Sequence, residues 1–174
     1  MKFEILNSET MYSGRAFGVA RCEVRLPDGR LSHYDLVEHR GAVTLVPVDD
    51  QGRILLVNQY RLGADRELWE LPAGVLEANE PPEEAAAREV REETGFAARE
   101  LRKLGEFYMA PGYSSEFMHV YLASGLYAAP LQADADEFLQ LAAVPVQECY
   151  AMIRRGEIVD GKTIASLLLA QPYL

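Results

Sequence analysis

Three closely spaced glutamates, Glu89, Glu92 and Glu93, are the residues of this sequence whose types and spacing are best suited to a catalytic or metal-binding role. At about 100° per residue of α-helix, Glu92 and Glu93 lie about 60° and 40° to either side of Glu89, so the three carboxylates share one face. Like charges at these spacings repel one another by roughly 0.2–0.5 kcal/mol per pair. A solvated acidic face is one interpretation of this cluster. A site for a hard divalent cation such as Mg²⁺, which takes oxygen ligands, is the other.

The segment 81–94 carries these glutamates and has the start and stop signals of an α-helix. The signals are prolines at the entry, acidic residues in the first turn and a glycine after the last turn: Pro81, Pro82, Glu83, Glu84 and Gly95. Three residues form a narrow apolar stripe that we expect to pack on a sheet: Ala86, Ala87 and Val90. The helical projection places Arg88 and Arg91 away from the three acids.

The length of 174 residues favours one compact domain, and 49% hydrophobic with 25% charged residues is typical of a globular protein. The net charge of -10 argues against nucleic acid and anionic membranes as partners. Half of that charge comes from residues 74–96, where seven acidic and two basic side chains sum to -5. Bound cations would offset this local charge, so it is better interpreted as a metal requirement.

The two cysteines, Cys22 and Cys149, are far apart and have no CxxC spacing, which indicates neither a zinc ribbon nor a redox pair. We expect a cytoplasmic protein, because no signal peptide and no apolar segment long enough to span a bilayer is evident.

The remaining patterns predict a mixed α/β chain. Strands are expected at 15–26, 31–38, 42–48, 53–60, 68–71, 102–109, 117–123 and 138–144, and two further helices at 145–155 and 162–170. We expect residues 1–40 to form β-strands of their own and residues 41–174 to form the main domain.

A longer motif surrounds the three glutamates. Gly74, Glu80 and the segment Arg88–Phe96 complete the pattern GX5EX7REUXEEXGU, where U is a bulky apolar residue, and every specified position is present across 23 residues. The sequence therefore resembles the Nudix hydrolases. Outside the motif it resembles the ADP-ribose pyrophosphatase branch, in the N-terminal strands and in three further segments: residues 58–61, 68–74 and 109–112.

This resemblance implies an α+β fold of the Nudix type, an α/β/α sandwich with a mixed sheet, preceded by antiparallel N-terminal strands. It implies two or three Mg²⁺ or Mn²⁺ ions held by Glu89 and Glu93 directly, by Glu92 directly or through water, and by the carbonyl of Ala73. The other motif residues would be structural: Gly74, Glu80, Arg88 and Gly95. Glu80 and Arg88 would form a pair that orients the loop.

The resemblance also implies a substrate. Pro111 stands sixteen residues beyond Gly95, where the family marks specificity for ADP-ribose. Arg61 and Glu70 would contact this substrate. Tyr34 would stack on the adenine and Phe17 would form a second wall, although aromatic residues in strands more often pack in the core.

Hydrolysis of ADP-ribose to AMP and ribose 5-phosphate by attack of water is the activity that the resemblance implies. The general base would be Glu137, with Glu116 as the second choice, and Glu92 would also take part. Other nucleoside diphosphate conjugates remain open as substrates, namely FAD, GDP-mannose and diadenosine polyphosphates, and so does a sensor that binds ADP-ribose without cleaving it. The branch implies a homodimer in which residues 1–40 of both subunits hold the base.

Overall fold

The computed structural model describes residues 2–132 and 138–174, in which strands precede and follow a helix near the middle of the chain. The strands are β1 (Glu4–Ser13), β2 (Gly18–Arg25), β3 (Leu31–Glu38), β4 (Ala42–Pro47), β5 (Arg53–Arg61), β6 (Arg66–Glu70), β7 (Ala73–Val75), β8 (Phe96–Ala97), β9 (Glu100–Tyr108), β10 (Phe117–Ser124), β11 (Tyr127–Ala128) and β12 (Gln140–Pro145). The helices are α1 (Pro82–Thr94), α2 (Val146–Arg155) and α3 (Gly161–Ala170), and a 3₁₀ turn follows at Gln171–Tyr173.

A four-stranded mixed sheet in the order β7-β4-β10-β9 forms the centre of the main domain. Strands β4 and β10 run parallel, whereas β7 and β9 are antiparallel to their neighbours. All six residues of β4 are buried, which explains why this strand has no polar alternation in its sequence. Strands β12, β5 and β6 form a second, antiparallel sheet.

Helices cover the central sheet on both sides. On one side, Ala85, Ala86 and Val90 of α1 pack with Val43 and Leu45 of β4. On the other side, α2 and α3 supply residues to a larger cluster around the next side chains of β4 and β5: Val46, Ile54, Leu56, Cys149, Met152 and Leu167. The sandwich of helix, sheet and helix that the sequence predicts is therefore confirmed.

The N-terminal strands form a separate three-stranded antiparallel sheet in the order β1-β2-β3. Its last strand is attached to the main domain through residues 113–115. The Val37 N–H donates to the Tyr113 carbonyl over 2.8 Å, and the Ser115 N–H donates to the Val37 carbonyl over 2.9 Å. Ser115 Oγ accepts a third hydrogen bond from the His39 N–H at 2.9 Å.

Several details differ from the sequence prediction. The short strands β7, β8 and β11 are absent from the predicted strands. Strand β1 is absent from the predicted strands because all ten of its residues are exposed, so its sequence has no apolar alternation to reveal it. The buried stripe of α1 contains Ala85 rather than Ala87, which is exposed. The reason is that Glu89 and Glu93 are themselves buried, so α1 turns its acidic face, on which Ala85 lies, toward the protein.

Most of the predicted strands and all three helices lie within a few residues of their predicted ends. In residues 2–132 and 138–174, no helix is long and apolar enough to cross a membrane.

Candidate active site

Helix α1 positions the three glutamates. It begins at Pro82 and ends at Gly95, whose φ of 77° suits glycine and whose N–H donates to the Arg91 carbonyl over 3.1 Å. Glu89 and Glu93 are each only 7% exposed. Burying carboxylates is costly unless cations or hydrogen-bond donors surround them, so their partners decide what this face of the helix can do.

Arg88 contacts two of the three glutamates, Glu89 and Glu92. Its Nε and Nη2 donate to the two oxygens of Glu80, both at 2.9 Å, while its Nη1 donates to Glu89 at 2.6 Å and to Glu92 at 2.8 Å. The helical projection that placed Arg88 away from the acids is therefore wrong, because Arg88 and Glu92 are i,i+4 neighbours on the helix surface and the same guanidinium also contacts Glu89. These hydrogen bonds hold the pKa of Glu80 below its usual value and raise the pKa of Arg88.

The loop before α1 lies against the acidic face. The backbone N–H of Ala73 donates to Glu93 Oε2 at 3.1 Å. At Gly74 a Cβ atom would overlap the carboxylate of Glu89, so only glycine lets this loop approach the helix without displacing that carboxylate. The Ala73 carbonyl remains a predicted metal ligand, and the loop brings its backbone beside the three glutamates.

The donor set fits a hard divalent cation by type, since it consists of carboxylate oxygens and a backbone carbonyl. In the described part of the chain, however, no three acidic, cysteine or histidine side chains converge as a ready-made metal cage. The guanidinium of Arg88 contacts Glu89 and Glu92 as well as Glu80, so its single positive charge offsets only part of their negative charge.

A second charged cluster lies at the ends of β5 and β6. Arg61 donates through Nε and Nη2 to the two oxygens of Glu70, at 2.8 and 2.6 Å. Glu70 is 1% exposed and also accepts from Lys162, which in turn contacts Asp160 at 2.9 Å. The hydrogen bonds with Glu70 raise the pKa of Arg61. The sequence analysis singles out Arg61 and Glu70 as substrate contacts, which stays a prediction, and it assigns no role to Lys162 or Asp160.

A cleft of about 540 Å³ joins these features. Acidic and basic side chains both line it: Glu77, Glu89, Glu92, Glu93, Arg15, Arg40, Arg61 and Arg88. Gln59 and the backbone of residues 73–76 complete much of the wall. Arg15 and Ala16 lie in the connection from β1 to β2, so the N-terminal sheet contributes to the same cleft. The sequence analysis assigns no role to Arg15, Arg40 or Gln59, although Gln59 lies in the segment 58–61 that carries the resemblance.

The two aromatic residues that the resemblance assigns to the base lie outside the walls that the described residues give this cleft. Tyr34 is 43% exposed and its ring lies 5.7 Å from that of Phe3. Phe17 is 45% exposed and its ring lies 6.0 Å from that of Tyr12. Both are surface residues of the N-terminal sheet, and their role in binding a base stays a prediction.

Of the two candidates for the general base, only Glu116 lies among the described residues. Glu116 is partly buried, and its backbone N–H donates to Ser114 Oγ at 3.1 Å. Its carboxylate is not among the described groups that line the cleft. Glu137 lies outside the described residues.

Replacement of Gly74 by alanine should weaken divalent metal binding, because the new methyl group would displace the Glu89 carboxylate. We expect the Kd for Mn²⁺, measured by electron paramagnetic resonance titration, to rise about tenfold or more. Gly63→Ala is the matched control, since a Cβ atom there meets nothing within 4 Å. Equal Mn²⁺ affinity in Gly74→Ala and wild type would contradict this account of the loop.

Comparison with known proteins agrees with this geometry. Residues 38–167 match the NUDIX domain family. The chain is 43% identical over 169 residues to the ADP-ribose pyrophosphatase of Mycobacterium tuberculosis (strain ATCC 25618 / H37Rv), covering 95% of this chain and 82% of that protein. It is 36% identical over 165 residues to the ADP-ribose pyrophosphatase of Bacillus subtilis (strain 168), covering 94% and 89%.

A solved structure is also similar. A crystal structure of an ADP compounds hydrolase matches with a TM-score of 0.88 and 28% identity, over 100% of this chain and 95% of that one. The resemblance inferred from the motif is therefore confirmed, and the chain belongs to the Nudix hydrolase family.

Proposed function

We propose that this protein is a metal-dependent pyrophosphatase that hydrolyses ADP-ribose to AMP and ribose 5-phosphate. The observation that carries the proposal is the cleft in which the acidic face of α1 and the guanidinium of Arg61 line the same space. Hydrolysis of a diphosphate would use both groups: the acidic face to hold metal ions that neutralise its negative charge, and the guanidinium to fix its position. Two relatives that cover most of the chain are named ADP-ribose pyrophosphatases, which supports this substrate.

The acidic face is proposed to hold Mg²⁺ or Mn²⁺, as two or three ions, through Glu89, Glu92, Glu93 and the Ala73 carbonyl. Such ions, when bound, neutralise the diphosphate and lower the pKa of a water molecule. The chain itself supplies the fixed donors. Glu70 takes two of the five N–H groups of Arg61, so three are left that Glu70 does not use and that can donate to phosphate oxygens. Arg15 and Arg40 add positive charge to the same cleft.

The general base is proposed to be Glu137, with Glu116 as the alternative. Either carboxylate would take up the proton of the attacking water, and bound metal ions would make that water more acidic, so the base would not need to be a strong one. Glu92 is the third acidic residue that we expect to assist, through its position on the acidic face of α1.

We also propose a homodimer formed through the sheet of residues 1–40. Strand β1 lies at the edge of that sheet, and several of its large apolar side chains are exposed, with Ile5 at 64%, Tyr12 at 55% and Met11 at 50%. An exposed apolar edge strand is an open template for pairing with another chain. Tyr34 and Phe17 lie on the same sheet, so a second subunit would bring such residues toward a shared base site.

A panel of nucleotides assayed with Mg²⁺ tests the substrate. We expect kcat/KM for ADP-ribose to exceed that for FAD, GDP-mannose and diadenosine tetraphosphate by about tenfold or more, because recognition of a preferred conjugate is typically worth 1–3 kcal/mol. The products should be AMP and ribose 5-phosphate, identified by chromatography. Equal rates on all four compounds would refute the substrate while the family stands. Tight binding of ADP-ribose without turnover would favour the sensor instead.

Replacement of Glu93 by glutamine should lower kcat for ADP-ribose by about 100-fold or more, since a proposed metal ligand loses its charge. The amide still accepts a hydrogen bond from the Ala73 N–H, so folding should be retained. Glu84→Gln on the exposed side of α1 is the control and should keep wild-type kcat. A Glu93→Gln enzyme with wild-type kcat would rule out Glu93 as a ligand.

The two base candidates are separated by comparing Glu137→Gln with Glu116→Gln. We expect kcat to fall by about 100-fold or more in the first variant and by only a few-fold in the second, since general base catalysis typically contributes 10²–10⁴ in rate. The kcat profile against pH, measured with ADP-ribose, should lose its acidic limb only in the variant that lacks the base. The reverse ranking would assign the base to Glu116.

A further inference from the structure

The start of helix α3 lies behind the cleft and contacts the strand ends that form it. Asp160 caps this helix, accepting hydrogen bonds from the N–H and the Oγ1 of Thr163 at 2.9 and 2.6 Å. Thr163 Oγ1 in turn accepts a hydrogen bond from the Leu71 N–H at 2.8 Å, and Thr163 is completely buried. The first turn of α3 is therefore a rigid support for the residues that follow β6.

Lys162, in the same turn, contacts the carboxylate of Glu70 and that of the capping residue Asp160. Glu70 Oε2 accepts from both Lys162 Nζ and Arg61 Nη2, and Lys162 Nζ is also held by Asp160 at 2.9 Å. The side chain of Lys162 is 11% exposed and that of Glu70 is 1% exposed, whereas that of Arg61 is 42% exposed. Among the described residues, Arg61 lines the cleft and Lys162 does not.

In this arrangement Lys162 can influence the position of Arg61 indirectly, because both side chains donate to Glu70. Arg61 binds Glu70 in a fork with two parallel hydrogen bonds, so the plane of its guanidinium follows the plane of the carboxylate. A carboxylate held only by Arg61 could rotate together with it. The ammonium of Lys162, fixed by the cap of α3, removes that freedom and also keeps Glu70 from being left with a single cation in a buried position.

We propose that Lys162 is a positioning residue for Arg61: it fixes Glu70, and through Glu70 it holds the guanidinium in the orientation that receives the diphosphate. This inference rests on the proposed function of the cleft, and it adds a residue to which neither the motif nor the chain similarity gives a role. Lys162 is expected to govern substrate affinity rather than the bond-breaking step, because it does not contact the acidic face of α1.

Kinetics of Lys162 variants on ADP-ribose with Mg²⁺ test the inference. Lys162→Met should raise KM about tenfold or more and change kcat less than about threefold, which is the scale of one hydrogen bond to a charged group. Lys162→Arg, which keeps a cation, should recover most of the affinity. Lys103→Met is the control, because Lys103 pairs with Glu106 on the surface and should leave KM unchanged.

The decisive comparison is made in an Arg61→Ala background. If Lys162 acts through Arg61, adding Lys162→Met to Arg61→Ala should change KM less than about twofold. The inference would be overturned if the fold-changes in KM of Lys162→Met and Arg61→Ala multiplied in the double variant. It would also be overturned by an unchanged KM in Lys162→Met, or by a KM in Lys162→Arg as high as that in Lys162→Met. A purely structural lysine would lower thermal stability without this dependence on Arg61.

Hydrogen exchange at Arg61 is a second readout, which requires no catalytic turnover and can use Lys162→Gln if Lys162→Met does not fold. The Nε–H of Arg61, assigned by nuclear magnetic resonance through its absence in Arg61→Ala, should exchange slowly with water in wild type and in Lys162→Arg. In Lys162→Met, or in Lys162→Gln if the methionine variant does not fold, exchange should be about tenfold faster or more. Fast exchange in wild type, or equal rates in wild type and the uncharged variant, would overturn the inference. If the exchange rates were as expected but the protein neither bound nor cleaved ADP-ribose, only the proposed function would be refuted.

Discussion

Buried negative charge is the constraint around which this structure is arranged. Helix α1 turns Glu89 and Glu93 toward the protein rather than toward water, in a chain whose net charge is already -10. The guanidinium of Arg88, which donates to Glu89, and the N–H of Ala73, which donates to Glu93, help to make this burial tolerable. The position of the loop before α1, the need for glycine at position 74 and the pairing of Arg88 with Glu80 all follow from it.

The same problem is solved a second time at Glu70. There a fully buried carboxylate is shared by Arg61 from β5 and Lys162 from α3, and the helix cap at Asp160 fixes the lysine. The two sites differ in the sequence separation between the carboxylate and its cation. At α1, Arg88 is the residue next to Glu89, whereas Lys162, one of the two cations at Glu70, lies 92 positions further along the chain.

This difference in sequence separation explains what could be predicted. The Nudix motif is local, so its spacing identified the helix, its last turn before Gly95 and the family. Lys162 could not be found in this way, because only the packing of α3 against the end of β6 brings it to Glu70. Arg15 and Arg40 were missed for a similar reason, since they reach the cleft from the N-terminal sheet and its link to β4. Strand β1 was missed because pairing with β2, rather than apolar periodicity, defines it.

The attachment of the N-terminal sheet through Val37 and residues 113–115 has a mechanical consequence. The same sheet carries Arg15 to the cleft, and the loop that holds it leads directly to Glu116 and into β10. Because backbone hydrogen bonds join the sheet to this loop, a tilt of the sheet would displace Arg15 and the loop together. The width of the cleft and the course of this loop would then change in step.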